Sequence, residues 1–225
     1  MTPISVLKFT DPTGLYEFDA SLGGDSSDGS VDRETRNKRI NFRKGLQRAK
    51  DNVAKLKTTK GEKSTAYQKA KAAVDAYGEE GDKGVTVGVV GDNQQKTPGH
   101  TTGTKGNLQV TFKDSFLSQA NGLGENKDIP GEMQGLIIHE GYHAATNAAK
   151  GYQIEHDAYL VQALVLEAQN PFNSYLDINN GSERVYIWDR SWNAVDIDAN
   201  RENTIKRILE VEYPELKPTS GVKKR

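Results

Sequence analysis

Apolar residues recur at helical spacing in the first third of the chain. After Asp32, apolar side chains follow one another at intervals of 4, 3, 4 and 3 residues, at Phe42, Leu46, Ala49, Val53 and Leu56. This spacing predicts a helix over residues 32–57, with Asp32 as its N-cap. Residues 58–61 predict a turn, and a second helix ends at Tyr77, with Gly78 as its stop signal. Together they predict an αα-hairpin.

The middle of the chain changes to the patterns of β-strands. Residues 84–90 form a short apolar run, and residues 108–112 alternate apolar and polar side chains. Both patterns predict strands, and the stretch between them, residues 91–106, is polar and contains glycine.

Two long apolar helices are predicted next. The first begins near Pro130 and continues to about Ala149, where Gly151 ends it; the second begins near Tyr152 and stops before Pro171. A strand over residues 184–188 and a helix over residues 200–212 complete an α+β fold.

The predicted elements fall into one domain with an N-terminal extension. Residues 1–30 predict an irregular segment or linker, because residues 23–30 are all glycine, serine or aspartate. Residues 31–225 predict the domain, divided into the helical hairpin (31–78) and a core (79–225).

Charge and composition exclude several classes of partner. The chain has 30 basic and 31 acidic residues, a balance that gives no general attraction to nucleic acid. The basic residues of the first helix are interpreted as a solvated face. No apolar run reaches the roughly 18 residues of a membrane span, and the N-terminus lacks the pattern of a classical signal peptide.

The candidate chemistry lies in the helix that precedes Gly151. The chain has four histidines and no cysteine, so a metal site must use histidine and carboxylate ligands. His139 and His143 are four residues apart and share one face of a helix, so both imidazoles can reach one ion. Glu140 lies about 100° around that helix and can act as a general base. We therefore expect a catalytic Zn²⁺ site.

A catalytic zinc needs a third protein ligand, which we expect just after Gly151. The candidates are Glu155, His156 and Asp157, which open the returning helix. Glu155 is preferred because antiparallel helices would bring it beside His143. His156 is the alternative ligand, and Asp157 is a candidate for orienting a ligand histidine. Tyr159 and Gln162 share a face with Glu155 and should line the site.

The electrophile that would hold a developing oxyanion is left open by the sequence. Tyr142, Tyr152, Tyr159 and His100 are the candidates, and Tyr159 is included among the predicted catalytic residues with Glu140.

The segment His139-Glu140-Gly141-Tyr142-His143, followed by Glu155-His156-Asp157-Ala158-Tyr159, resembles gluzincin-type metallopeptidases, over residues 130–165. It is most similar to the metallopeptidase toxin domains of bacterial polymorphic toxins. The resemblance implies a zincin-like core, His139, His143 and Glu155 as zinc ligands, and Glu140 as the base. In such proteases an edge strand near the metal pairs with the substrate; residues 108–112 are the candidate.

Residues 11–16, Asp-Pro-Thr-Gly-Leu-Tyr, are similar to the motif that ends the core of RHS-repeat proteins. This second resemblance implies a toxin module that a bacterial secretion system delivers into a target cell, and an immunity protein as partner. The expected function is hydrolysis of a protein or peptide substrate. A metal-stabilised binding module, with Glu155 and His156 both as ligands, and a hydrolase of cell-wall peptide amides remain alternatives.

Overall fold

The structure is a computed structural model that describes residues 16–77, 85–119, 131–169, 175–177, 184–186 and 197–216. The helices are α1 (Arg33–Lys60), α2 (Thr65–Asp75), α3 (Asp114–Ser118), α4 (Gly131–Ala145), α5 (Tyr152–Gln169) and α6 (Ile197–Glu212). The strands are β1 (Glu17–Phe18), β2 (Val85–Val90), β3 (Gly99–Thr104), β4 (Asn107–Lys113), β5 (Tyr175–Asp177) and β6 (Arg184–Tyr186). This mixture of helices with a small sheet confirms the predicted α+β class.

The main sheet has the strand order β1-β2-β4-β3. β1, β2 and β4 are parallel, and β3 pairs antiparallel with β4. The predicted strand over residues 108–112 is confirmed as β4, but it lies inside the described sheet, whose edge strands are β1 and β3. Sequence reasoning missed β3 because its residues are glycine, threonine and histidine, and only Gly99 and Thr101 are buried.

The helices cover one face of this sheet. Val87, Val110 and Phe112 point from the sheet into a core that also contains Phe42 of α1 and Ile137 of α4. On the other face Gln109 is exposed. Both α1 and α4 therefore pack on this face of the sheet, and α4 also packs against α2 and α5.

The helical hairpin packs against α4 and does not stand apart from it. The apolar stripe predicted for α1 is buried along its whole length. Asp32 caps the helix as predicted, since its carboxylate accepts a hydrogen bond from Thr35 N at 2.8 Å. The turn predicted at residues 58–61 is wrong for its first three residues, because α1 continues to Lys60 before Gly61 (φ 86°) stops it.

Within the segment expected to be irregular, residues 17–22 contain regular structure, whereas residues 23–30 form only turns. β1 pairs with β2, and a short 3₁₀ turn follows at Ala20–Leu22. The buried Arg39 guanidinium of α1 holds this segment by donating hydrogen bonds to three backbone carbonyls, those of Leu22, Gly24 and Ser26, at 2.5–2.8 Å. A two-residue strand is too short to show an alternating pattern, and hydrogen bonds from a distant arginine to loop carbonyls have no sequence pattern. Neither feature could therefore be predicted from the sequence. The motif at residues 11–16 lies outside the described residues except for Tyr16.

The connection between α4 and α5 is longer than predicted. α4 ends at Ala145, four residues before the expected end, and the chain reverses through Asn147 and Ala148, both with positive φ (56° and 55°). This reversal brings the start of α5 beside the end of α4. In the described part of the chain, no helix is long and apolar enough to cross a membrane.

Candidate metal centre

The centre forms where α4 and α5 run antiparallel to each other. His139 and His143 are one helical turn apart on α4, and Glu155 lies in the first turn of α5. Further along the pair, Gly135 of α4 packs against Gln162 and Leu166 of α5. A glycine at this point lets the two helices approach closely, which keeps the three side chains at the other end together.

His139, His143 and Glu155 converge on one point, and each offers one ligand atom within 4.8 Å of the others. The two Nε2 atoms are 3.2 Å apart. Glu155 Oε2 lies 3.3 Å from His143 Nε2 and 3.7 Å from His139 Nε2. Two imidazoles and one carboxylate are the ligand set of many catalytic zinc sites, which keep a fourth position open. The structure thus brings together the three residues predicted as ligands.

The state of Glu155 supplies a test of whether the cluster fits a cation. Its Oε2 atom is buried and faces His143 Nε2 at 3.3 Å and His139 Nε2 at 3.7 Å. A buried carboxylate oxygen is costly unless a positive charge lies beside it. Burial alone would raise the pKa of Glu155, but His139 and His143 outweigh burial and hold this pKa far below its ordinary value. Glu155 is therefore anionic, and a divalent cation fits the donor set.

Two contacts from α5 fix the His139 ring. His139 Nδ1 lies 3.0 Å from Gln162 Oε1. Since an amide oxygen can only accept, Nδ1 carries the proton and Nε2 keeps its lone pair for a metal. The Tyr159 ring packs edge-to-face on the His139 ring, with a centroid distance of 4.5 Å. Gln162 and Tyr159 thus line the site, as their shared helix face predicted.

Glu140 points from α4 toward the edge strand. Its side chain is 4% exposed, and Thr101 Oγ1 lies 2.7 Å from Glu140 Oε2. A side chain at position 99 would collide with it, because an ideal Cβ on Gly99 would lie 2.8 Å from Glu140 Cγ. Gly99 and Thr101 therefore shape the position of the predicted base, although the sequence offered no sign of either contact.

His156 and Asp157 do not join the cluster. His156 Nε2 lies 3.0 Å from a Glu202 carboxylate oxygen on α6. Asp157 accepts hydrogen bonds from Tyr142 Oη at 3.1 Å and Gln153 Nε2 at 3.0 Å, so it does not orient a ligand histidine as predicted. Successive helix positions are about 100° apart, so these two side chains leave the face that carries Glu155. The described geometry therefore gives no support to the alternative three-histidine site.

A cavity of about 560 Å³ opens over the cluster and includes Glu140. Its walls come from the 94–98 loop and β3, from α4 and α5 and the connection between them, and from the residues that follow α6. Among the predicted oxyanion candidates, His100 and Tyr159 line this cavity, whereas Tyr142 bonds Asp157. Such a cavity has the size of a ligand site.

Tyr213, just beyond α6, also lines the cavity and was missed by sequence reasoning. Its ring packs edge-to-face against Tyr159 at 6.5 Å between centroids. Burial raises the pKa of Tyr213, and the Glu155 and Glu140 carboxylates raise it further. Its hydroxyl therefore keeps its proton at neutral pH and is a hydrogen-bond donor. The position of Tyr213 depends on how α6 docks, which no local pattern encodes.

Family models, curated proteins and solved structures all give no match to this chain.

Proposed function

We propose that this protein is a zinc-dependent metallopeptidase of the gluzincin type. One observation carries the proposal: a metal-ligand triad and a buried glutamate share one cavity beside the free edge of a sheet. His139, His143 and Glu155 would hold the ion, and they leave a position open for a reactant. Bound there, zinc would supply Lewis acidity that polarises a carbonyl and acidifies water.

Four side chains of the cavity have separate roles in the proposed mechanism. Glu140 accepts the proton of the water that attacks the scissile carbonyl and passes it to the leaving nitrogen. Tyr213, protonated and inside the cavity, donates a hydrogen bond to the carbonyl oxygen as negative charge develops there. Tyr159 packs against His139 and Tyr213, so its role in this mechanism is to keep both rings in place. Gln162 keeps His139 in the ligating tautomer.

The edge strand β3 is the surface on which a peptide would lie. Extended peptides bind proteins by adding a strand to an exposed sheet edge. β3 fits this role, since Gly99, His100 and Thr101 all line the cavity that contains the triad. An extended protein or peptide segment is therefore the proposed substrate, and the interior strand β4 no longer qualifies as its docking strand.

The non-enzymatic alternative finds no support in the geometry. A metal-stabilised binding module would close its site with Glu155 and His156 together, but His156 lies against Glu202. The toxin setting, with a secretion system and an immunity protein, is part of the proposal through resemblance alone, as is the zincin-like description of the core.

Peptide hydrolysis is tested with a mixture of unfolded peptides as substrate. The zinc-loaded protein is incubated with peptides from a digested proteome, and new termini are identified by mass spectrometry. We expect cleavage that stops on chelation of the metal and is at least about 100-fold slower in Glu140→Gln, which still binds zinc. Cleavage by Glu140→Gln at the wild-type rate would refute the assigned mechanism.

A cell-wall substrate is the other outcome to watch. If the wild type binds zinc but cleaves no peptide in the mixture, purified peptidoglycan is the next substrate, because the same residues hydrolyse amides of either kind. Hydrolysis of peptidoglycan alone would replace the proposed substrate class and keep the roles of Glu140 and the triad.

A further inference from the structure

The side chain of Thr101 joins the edge strand to the predicted base. Its hydroxyl lies 2.7 Å from Glu140 Oε2 and 3.1 Å from the Glu140 carbonyl oxygen. A threonine hydroxyl has one proton, and the shorter contact, to a charged acceptor, is the stronger one. Thr101 is only 6% exposed, so no bulk water competes for this bond.

Gly99, two residues earlier, leaves the space that Glu140 occupies. An ideal Cβ at position 99 would lie 2.8 Å from both Cγ and Oε1 of Glu140. Residues two apart on a strand face the same side of the sheet. The Glu140 carboxylate is thus set on β3, over Gly99 and bonded to Thr101.

The backbone of the same two residues faces the free edge of the sheet. Lys113 N donates to Pro98 O at 2.8 Å, so positions 98 and 113 form a hydrogen-bonded pair. Such pairs alternate along an antiparallel ladder, so His100 and Thr102 bond to β4, while Gly99 and Thr101 turn their N–H and C=O groups outward. The Gly99 carbonyl agrees with this direction, because it accepts the Thr97 hydroxyl at 2.5 Å.

We propose that Thr101 is a positioning residue that binds the substrate through its backbone and orients the Glu140 base through its side chain. Its outward backbone groups pair with an extended peptide, while its hydroxyl holds the Glu140 carboxylate beside that peptide. This inference rests on the proposed peptidase function. Because the peptide must bond to the backbone of Thr101, substrates have to be extended and must offer a free N–H or C=O opposite this residue.

The first test separates kcat from KM for the 225-residue zinc-loaded chain on a peptide that it cleaves. Thr101→Val keeps the shape and removes the hydroxyl, so we expect kcat to fall about 10–100-fold with KM within about twofold. Thr101→Ser should retain most of the wild-type kcat. Thr86→Val is the matched control, because Thr86 lies on the interior strand β2 and does not line the cavity, and it should leave both constants unchanged.

Two results would overturn the proposal: a Thr101→Val kcat within twofold of wild type, or a Thr101→Ser variant as impaired as Thr101→Val. Zinc content is measured for each variant, so that loss of metal is recognised. If Thr101→Val does not fold, Thr101→Ala supplies the same comparison without a branched side chain.

A second test measures binding instead of turnover. It tests the interaction between Thr101 and Glu140 even if the protein cleaves no peptide. Acetohydroxamic acid chelates zinc through its two oxygens, and its O–H or N–H group can donate a hydrogen bond to a neighbouring carboxylate. Its Kd for the zinc-loaded protein is measured by calorimetry for wild type, Thr101→Val, Glu140→Gln and the double variant.

Under the proposal, Thr101→Val weakens binding about tenfold, and the double variant binds no more weakly than Glu140→Gln, because Thr101 acts only through Glu140. Additive losses, or no loss in Thr101→Val, would refute the positioning role. An absence of peptide cleavage together with non-additive losses would refute the peptidase function and leave the role of Thr101 intact.

Discussion

Gly141, which lies between His139 and His143, should be the glycine on α4 that least tolerates a methyl group. An ideal Cβ at this position would overlap the Ala73 carbonyl oxygen of α2 and lie 2.8 Å from Tyr77 Cε2. The second distance is at least about 0.7 Å shorter than an ordinary carbon contact of 3.5 Å. The first obstacle is backbone, so α2 and α4 would have to separate.

Gly135 on the same helix is the matched control. Its ideal Cβ would lie 3.2 Å from Gln162 Cγ and from Leu166 Cδ1, which are side-chain atoms that can move by a few tenths of an ångström. Both Gly→Ala changes gain the same helix propensity, about 1 kcal/mol. The difference between the two variants therefore isolates the cost of overpacking at Gly141, which we expect to be about 1–3 kcal/mol.

The assay is urea unfolding of the metal-free protein, followed by circular dichroism, with ΔG obtained by linear extrapolation. Gly141→Ala should be less stable than wild type by up to about 2 kcal/mol, and Gly135→Ala should be unchanged or more stable by up to about 1 kcal/mol. A Gly141→Ala variant as stable as Gly135→Ala would show that α2 does not press against the metal-binding helix as described.

Two further predictions concern the metal itself. Glu155→Ala should lower zinc affinity at least about 100-fold whereas His156→Ala should leave it within about threefold, measured by competition with a chelator; the reverse order would reassign the third ligand. Burial would lower the pKa of His143, but the Glu155 and Glu140 carboxylates outweigh burial and raise this pKa above the ordinary value for histidine. Below that raised pKa His143 carries a proton that zinc has to displace. Zinc affinity should therefore fall as the pH is lowered through this pKa. Affinity that stays constant from pH 8 to pH 6 would contradict this.

The three candidate metal ligands were predictable from the sequence because their arrangement is local. The interval between His139 and His143 places both on one helix face, and the short connection before Glu155 forces the next helix back beside them. Burial patterns in α1 and β4 were predictable for the same reason, since each element has its own period.

The surroundings of the base could not be predicted because they depend on contacts between distant elements. Thr101 and Glu140 are 39 residues apart, and nothing in a run of glycine and threonine indicates that it lies against a helix. Tyr213 reaches the cavity only through the docking of α6. The sequence therefore predicts the ligands of the site, while the residues that orient its base require the tertiary structure.

The most direct test of the central claim is the metal content of the purified protein after incubation with zinc and removal of the excess. Elemental analysis compares wild type with the His139→Ala/His143→Ala double variant. The account predicts about one zinc per chain in the wild type and none in the double variant, since two of three ligands are lost. A wild type without zinc, or equal zinc in both proteins, would contradict the metal site and the hydrolase built on it.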